Sequence, residues 1–139
     1  MPHGPRTDVV TAFVTRGDEL LVLRRSERVR TYCGRWAAVS GYLEAADPEA
    51  QARAELAEEL GLGAADVALL ARGEPLEIDD GGELRWRVHP FRFGLAAGAV
   101  PRLDWEHAES RWVAPAQLEE LETVPGLAAA WRAVSRGGT

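Results

Sequence analysis

The spacing of apolar residues changes repeatedly along the chain and predicts an alternation of strands and helices. Runs rich in β-branched or alternating apolar residues predict strands at Thr7–Thr15, Glu19–Arg25, Arg35–Tyr42, Val67–Arg72, Leu76–Ile78 and Glu83–Leu95. Helical spacing predicts helices at Pro48–Leu60 and Gly126–Ser135, with a short helix at Pro115–Leu121. Turn residues at Arg16–Asp18 and Asp79–Gly82 predict hairpins. This order favours an α+β sandwich in which a mixed, curved sheet lies between helices.

The helix predicted at Pro48 has clear start and stop signals. Asp47 is a suitable N-cap, Pro48 fits the first helical position, and Gly61 fits the position after the last turn. Three residues at helical spacing form an apolar stripe that we expect to face the core: Ala52, Leu56 and Leu60.

Three carboxylates share a neighbouring face of this helix, because Glu55, Glu58 and Glu59 are three and four residues apart. Glu55 and Glu59 form a like-charge pair that costs roughly 0.2–0.5 kcal/mol when it is exposed. One interpretation is a solvated acidic face. The other is a cation site, since Mg²⁺ binds carboxylate oxygens together with waters and substrate phosphates.

The stretch Gly41–Leu62 resembles the Nudix box of the Nudix hydrolases. The family pattern is a glycine, five residues, a glutamate, seven residues, and then R-E-U-x-E-E-x-G-U, where U is aliphatic. Its second half is matched by Glu55, Leu56, Glu58, Glu59, Gly61 and Leu62. Asp47 replaces the first glutamate and the following spacer is one residue short. Ala54 occupies the position of the arginine that orients the glutamates in the family, and Arg53 precedes it.

The resemblance extends beyond the box to RWAAVSGYLE, RWRVHPFRF and EHAESRWVAP. These segments resemble Nudix domains that occur alone or fused to a sugar-phosphate-isomerase-like, initiation-factor-related domain. The resemblance implies a Nudix-type α/β/α sandwich and a Mg²⁺ or Mn²⁺ cofactor. It also implies that Glu55, Glu58, Glu59 and a carbonyl at Gly41 are metal ligands, with the three glutamates acting in catalysis.

An acidic loop before the Trp112 strand is a second place where Nudix enzymes carry a metal ligand or general base. Glu106 and Glu109 are the candidates in this loop, and we expect Glu106 to serve as the catalytic residue. Glu109 is more easily placed beside the strand. The alternative interpretation is a solvated acidic loop.

Composition limits the function further. The 139 residues suit one domain, with residues 1–6 and 136–139 expected to be flexible. A net charge of −6 argues against nonspecific nucleic-acid binding. The single cysteine, Cys33, excludes an internal disulfide, and no apolar run is long enough for a membrane span. We therefore expect a cytoplasmic protein that binds neither nucleic acid nor membrane.

Phosphate contacts must come from arginine, backbone N–H groups or metal, because none of the 16 basic residues is lysine. Arg25, Arg35, Arg85 and Arg87 are the predicted substrate-binding residues, although solvated strand ends would look the same. We interpret Trp36 as core and His89 as structural. The strand at Arg85–Phe93 could contribute to a homodimer if it is exposed.

Two classes of function remain open. The first is metal-dependent hydrolysis of a diphosphate linkage in a nucleoside diphosphate derivative or related phosphorylated metabolite. The second is a Nudix-fold sensor of a nucleotide or sugar phosphate, or a partner subunit, with weak or absent catalysis. The three box glutamates favour the enzyme, while Ala54 and the short spacer motivate the alternative.

Overall fold

Strands and helices alternate in nearly the predicted order in the computed structural model, which describes residues 7–44, 46–82 and 84–135. The segments predicted to be flexible, 1–6 and 136–139, lie outside the described residues. The strands are β1 (Thr7–Arg16), β2 (Glu19–Arg25), β3 (Trp36–Ala37), β4 (Val39–Tyr42), β5 (Val67–Arg72), β6 (Leu76–Asp79), β7 (Arg85–Leu95) and β8 (His107–Val113). The helices are α1 (Pro48–Leu60), α2 (Leu127–Val134) and two 3₁₀ helices at Ala64–Asp66 and Pro115–Glu120.

A parallel pair, β1 and β7, forms the centre of the sheet, in the order β3-β2-β1-β7-β5. The predicted β1–β2 hairpin is present, but its register covers only Thr15–Leu20 and Arg16–Glu19. Beyond these residues β1 pairs with β4, while β2 pairs with β3 and β8. The strands of the hairpin therefore separate, and each joins a different part of the mixed sheet.

Helices cover both faces of the sheet. Alternate residues of β1 point to opposite sides, so Val10 packs in the same cluster as Leu56 of α1, while Phe13 packs with Ala130 of α2. The predicted apolar stripe of α1 is fully buried: Ala52, Leu56 and Leu60 are each 0% exposed. The α+β sandwich with a sheet between helices is thus confirmed.

The ends of α1 also follow the sequence signals. A side-chain oxygen of Asp47 accepts a hydrogen bond from the Glu49 N–H at 3.2 Å, which caps the helix. Gly61 adopts a left-handed conformation with φ of +68°, and its N–H bonds back to the last turn. Asp47 is therefore a helix cap, although it aligns with a glutamate of the box.

Two sequence interpretations need correction. The single strand predicted at Arg35–Tyr42 is divided into β3 and β4, because β3 pairs with β2 whereas β4 pairs with β1. The expectation that Arg85–Phe93 is an exposed strand is wrong, since none of these residues is exposed and β7 is paired on both sides. Its partners are β1 on one side and β6 followed by β5 on the other. No helix in the described ranges is long and apolar enough to cross a membrane.

Candidate active site

Glu55 lies directly over the backbone of Gly41, where β4 runs into the loop before α1. A Cβ atom at position 41 would overlap the carboxyl group of Glu55, so only glycine allows this approach. The second contact of Glu55 is a hydrogen bond of 2.9 Å that its Oε2 accepts from Nε2 of Gln51. The carboxylate is therefore held between a strand and a side chain from its own helix.

Glu59 is the most unusual carboxyl group of the site because it is only 2% exposed. Its Oε2 has no hydrogen-bond partner among the described residues. Burial, followed by the nearby carboxyl groups of Glu106 and Glu55, raises the pKa of Glu59 to about 10. At neutral pH this carboxyl group therefore holds a proton unless a cation replaces it.

His107 faces Glu59 from the first position of β8. Its Nε2 lies 3.8 Å from Oε1 of Glu59, and its Nδ1 lies 3.8 Å from Oδ1 of Asp104. Neither ring nitrogen has a hydrogen-bond partner in the part of the chain that the structure describes. Burial lowers the pKa of His107 to about 4, so the ring is neutral at physiological pH. A neutral imidazole can accept a proton or bind a metal.

The loop before β8 carries Glu106 to the same place. The Glu106 N–H donates to Oδ1 of Asp104 at 3.0 Å, and the Glu106 carbonyl accepts from the Ser26 N–H at 2.8 Å. Burial, followed by the charge of Asp104, raises the pKa of Glu106. Glu106 is thus a carboxylate with increased basicity, held near Glu59.

These residues have the chemistry of a cation site. Ligand atoms of Glu59, Glu106 and His107 all lie within 4.8 Å of one another. The unpartnered oxygen of Glu59 and the unpartnered nitrogens of His107 are buried polar atoms that lack compensation. A divalent cation would supply the missing partner for such atoms and remove the repulsion between the carboxylates. The residues present therefore fit a divalent metal.

A cavity of about 290 Å³ opens beside the carboxylates. Glu55, Glu58 and Glu106 line it, together with Gly41 and Arg25. Three aromatic residues line the same cavity: Tyr32, Tyr42 and Trp86. The cavity therefore combines an acidic region with an aromatic surface large enough to contact a planar ring.

The aromatic part of the cavity is held by a hydrogen-bond network between distant segments. The Tyr32 hydroxyl donates to Oδ2 of Asp80 at 2.8 Å and accepts from Nε1 of Trp86 at 3.1 Å. The rings of Tyr42 and Trp86 have centroids 6.4 Å apart and an interplanar angle of 35°. Tyr42 itself is 60% exposed, so one face of its ring is available to a ligand.

The predicted arginines divide between the cavity and other surfaces. Arg25 lines the cavity and donates through Nε to the Thr31 carbonyl at 2.8 Å. Arg35, Arg85 and Arg87 are not among the described residues that line it. Arg87 instead points toward Asp8, with its Nε 3.8 Å from Oδ1. Of the four predicted arginines, Arg25 is the one that lines this cavity.

The two carboxylates of the acidic loop are also separated. Glu106 lines the cavity, whereas Glu109 accepts a hydrogen bond of 2.7 Å from Nε of Arg24 on the surface. Sequence reasoning missed Gln51, Asp104 and the aromatic network. The helical spacing of Gln51 and Glu55 was a usable signal, because side chains four residues apart meet on one face. The contacts between Tyr32, Asp80 and Trp86 had no local signal.

Comparison with known proteins identifies the family of this chain. Residues 5–133 match the NUDIX domain family. A Mycobacterium tuberculosis protein named "Putative 8-oxo-dGTP diphosphatase 2" is 37% identical over 120 residues, covering 84% of this chain and 79% of that protein. With both matches spanning most of its length, the chain belongs to the Nudix hydrolase family.

Solved structures show the same fold at lower sequence identity. An Ap4A hydrolase from C. elegans has a TM-score of 0.73 and 17% identity, covering 91% of this chain and 93% of its own. A MutT protein from Methanosarcina mazei has a TM-score of 0.72 and 23% identity, covering 95% and 94%. The predicted fold is confirmed by these matches.

The raised pKa of Glu59 predicts an unusual pH dependence of stability without metal. Unfolded Glu59 has an ordinary pKa near 4.5, whereas the folded protein keeps the proton until about pH 10. Stability is therefore lost as pH rises between these values, by at most about 1.4 kcal/mol per pH unit. We expect chelator-treated protein to lose unfolding free energy between about pH 7 and pH 9 in denaturant titrations.

Glu59→Gln should reduce this slope, because an amide needs no proton to be buried. Glu119→Gln, at an exposed position outside the cavity lining, is the matched control and should keep the slope. Equal slopes in wild type and Glu59→Gln would contradict the assignment of a protonated, buried Glu59.

Proposed function

We propose that this protein is a Mg²⁺- or Mn²⁺-dependent pyrophosphohydrolase that cleaves a diphosphate linkage in a nucleoside diphosphate derivative. The proposal rests on one observation, which is that an acidic surface and an aromatic surface line the same cavity. Glu55, Glu58 and Glu106 line it beside the buried Glu59, and Tyr42 and Trp86 line it too. The first surface suits a cation with its phosphates, and the second suits a nucleobase.

Glu55, Glu58 and Glu59 would hold the cation together with the Gly41 carbonyl, as the box resemblance implies. The proximity of His107 to Glu59 supports one further donor from the β8 side. When bound, the cation polarises phosphoryl oxygens and lowers the pKa of a water. The carboxylates supply the negative charge that keeps it in the cavity.

Glu106 is the residue we assign as general base. Its carboxylate lines the cavity, and its raised pKa makes it a better proton acceptor than an exposed glutamate. In this role it takes the proton of the attacking water as one phosphorus is attacked and the other phosphate leaves. Arg25 lines the same cavity and provides the cationic side chain to contact a substrate phosphate.

The acidic helix face gives a direct test of catalysis. Glu58→Gln removes one carboxylate from an exposed position on α1, so we expect the fold to be retained. Turnover should fall by roughly 10²-fold or more, as for loss of a catalytic carboxylate. The measurement is product release with Mg²⁺ or Mn²⁺, with Glu119→Gln as the charge-matched control.

The substrate panel for this measurement follows from the site and the relatives. It contains nucleoside diphosphate sugars, ADP-ribose, NADH, dinucleoside polyphosphates and nucleoside triphosphates, with 8-oxo-dGTP added because of the 37% identical relative's name. Wild-type turnover in the Glu58→Gln variant would contradict the assignment. Nucleotide binding with no turnover in any metal would favour the sensor, the alternative suggested by Ala54 and the short box spacer.

The aromatic surface predicts a second, separable effect. A nucleobase stacked on Tyr42 contributes roughly 1–3 kcal/mol, so Tyr42→Ala should raise KM about 5- to 150-fold. Tyr42→Phe keeps the ring and should leave KM close to wild type. Steady-state kinetics with the best substrate of the panel measure both variants. Equal KM values for Tyr42→Ala and wild type would place the base elsewhere.

A further inference from the structure

Ala54 occupies the position of the family's orienting arginine and offers no hydrogen-bonding side chain there. The neighbouring residue, Arg53, makes other contacts. Ala54 is exposed and carries only a methyl group. Arg53 bonds through Nε to Oε2 of Glu49 at 3.1 Å, and its guanidinium lies 5.2 Å from the centroid of the Phe93 ring. These contacts engage the Arg53 guanidinium, and the described residues show no hydrogen bond or ion pair between it and Glu55, Glu58 or Glu59.

Gln51 occupies a position from which it can orient Glu55. It is a polar residue on the first turns of α1, yet it is only 7% exposed. Its Oε1 accepts a hydrogen bond from the Glu44 N–H at 3.1 Å, and its Nε2 donates to Oε2 of Glu55 at 2.9 Å. A side-chain amide carries both an acceptor oxygen and a donor NH2 group. Gln51 therefore joins the loop after β4 to the Glu55 carboxylate.

Glu55 is thereby restrained on two sides. The Gly41 backbone leaves no room for even a methyl group beside the Glu55 carboxyl, and Gln51 fixes one of its oxygens. A glutamate side chain has three rotatable bonds, and an unrestrained one would sample several rotamers. Two restraints from separate segments hold this carboxylate facing the cavity before any ligand arrives.

The amide also has an electrostatic advantage over a cationic side chain. A guanidinium would neutralise part of the negative charge of Glu55 and would repel a divalent cation placed beside it. A neutral amide orients the carboxylate through a hydrogen bond and leaves its charge available to the cation. The replacement of arginine by alanine at position 54 is then compatible with a functional site.

We infer that Gln51 is the positioning residue of this site, whose side-chain amide holds the Glu55 carboxylate against Gly41 in the orientation used to bind the divalent cation. This inference rests on the proposed metal-dependent function. Gln51 acts through Glu55 and needs no contact with the substrate.

Three substitutions of Gln51 separate its effect on the orientation of Glu55 from its effect on packing. Gln51→Met keeps the length and burial of the side chain and removes the hydrogen bonds to Glu44 and Glu55. Gln51→Glu keeps an acceptor for the Glu44 N–H but places a second carboxylate against Glu55. Gln51→Asn is a shorter variant, retained in case the other two fail to fold. The matched control is Gln117→Met, which removes a hydrogen bond of 2.7 Å to the Ala114 N–H at an exposed site outside the cavity lining.

The readout is the Kd for Mn²⁺, measured by the loss of the free-ion electron paramagnetic resonance signal in the full chain without nucleotide. We expect the Gln51 variants to bind Mn²⁺ roughly 10- to 100-fold more weakly, as for other residues that support a metal ligand. Gln117→Met should bind with wild-type affinity. In steady-state kinetics, we expect the Gln51 variants to have a lower kcat than the wild type, with little change in KM for the nucleotide. The Tm of the metal-free protein reports any general loss of structure.

Wild-type Mn²⁺ affinity in folded Gln51 variants would overturn the inference, even if their Tm is lowered. The proposed function fails separately if wild-type protein binds Mn²⁺ but turns over no substrate of the panel, while the Kd comparison still tests Gln51. Absence of Mn²⁺ binding in the wild type would overturn both.

Discussion

Burial of the Glu59 carboxyl group among other carboxyl groups is the physical constraint on which the site depends. Leu56 and Leu60 are fully buried on the same helix, so the rotation of α1 that packs them also keeps Glu59 at 2% exposure. Without a cation, folding at neutral pH must therefore keep a proton on Glu59. In the proposed metal site, the buried carboxyl group that makes the metal-free chain less stable at high pH is also a metal ligand.

The central strand pair, β1 and β7, contributes residues to the cavity that is lined by the acidic face of α1 and the aromatic surface. Val9 and Thr11 of β1 and Trp86 and Val88 of β7 all line the cavity, in a parallel register that aligns Val9 with Val88. On one side, β4 carries Gly41 beneath Glu55; on the other, β6 leads to the turn that contains Asp80. One sheet thus fixes the distance between the acidic helix face and the aromatic surface. The geometry suits a ligand with phosphates at one end and a planar ring at the other.

Features set by local sequence were predictable, and those set by strand pairing were not. The bounds of α1, its Asp47 cap and the shared face of its glutamates follow from helix geometry and capping chemistry. The role of Arg87 does not, because only the β1–β7 register places it opposite Asp8. Arg85 is likewise opposite Asp79 through the β6–β7 register. The contact of Tyr32 with Asp80 joins residues 48 positions apart, beyond the reach of any periodicity.

Proton release on Mn²⁺ binding tests most directly whether the buried carboxyl cluster is a metal site. Calorimetric titration of the full chain at about pH 8, in buffers of different ionisation enthalpy, gives the number of protons released per ion bound. Since metal ligands must be deprotonated and Glu59 holds a proton without metal, we predict release of about one proton. Binding without proton release, or no binding, would contradict it.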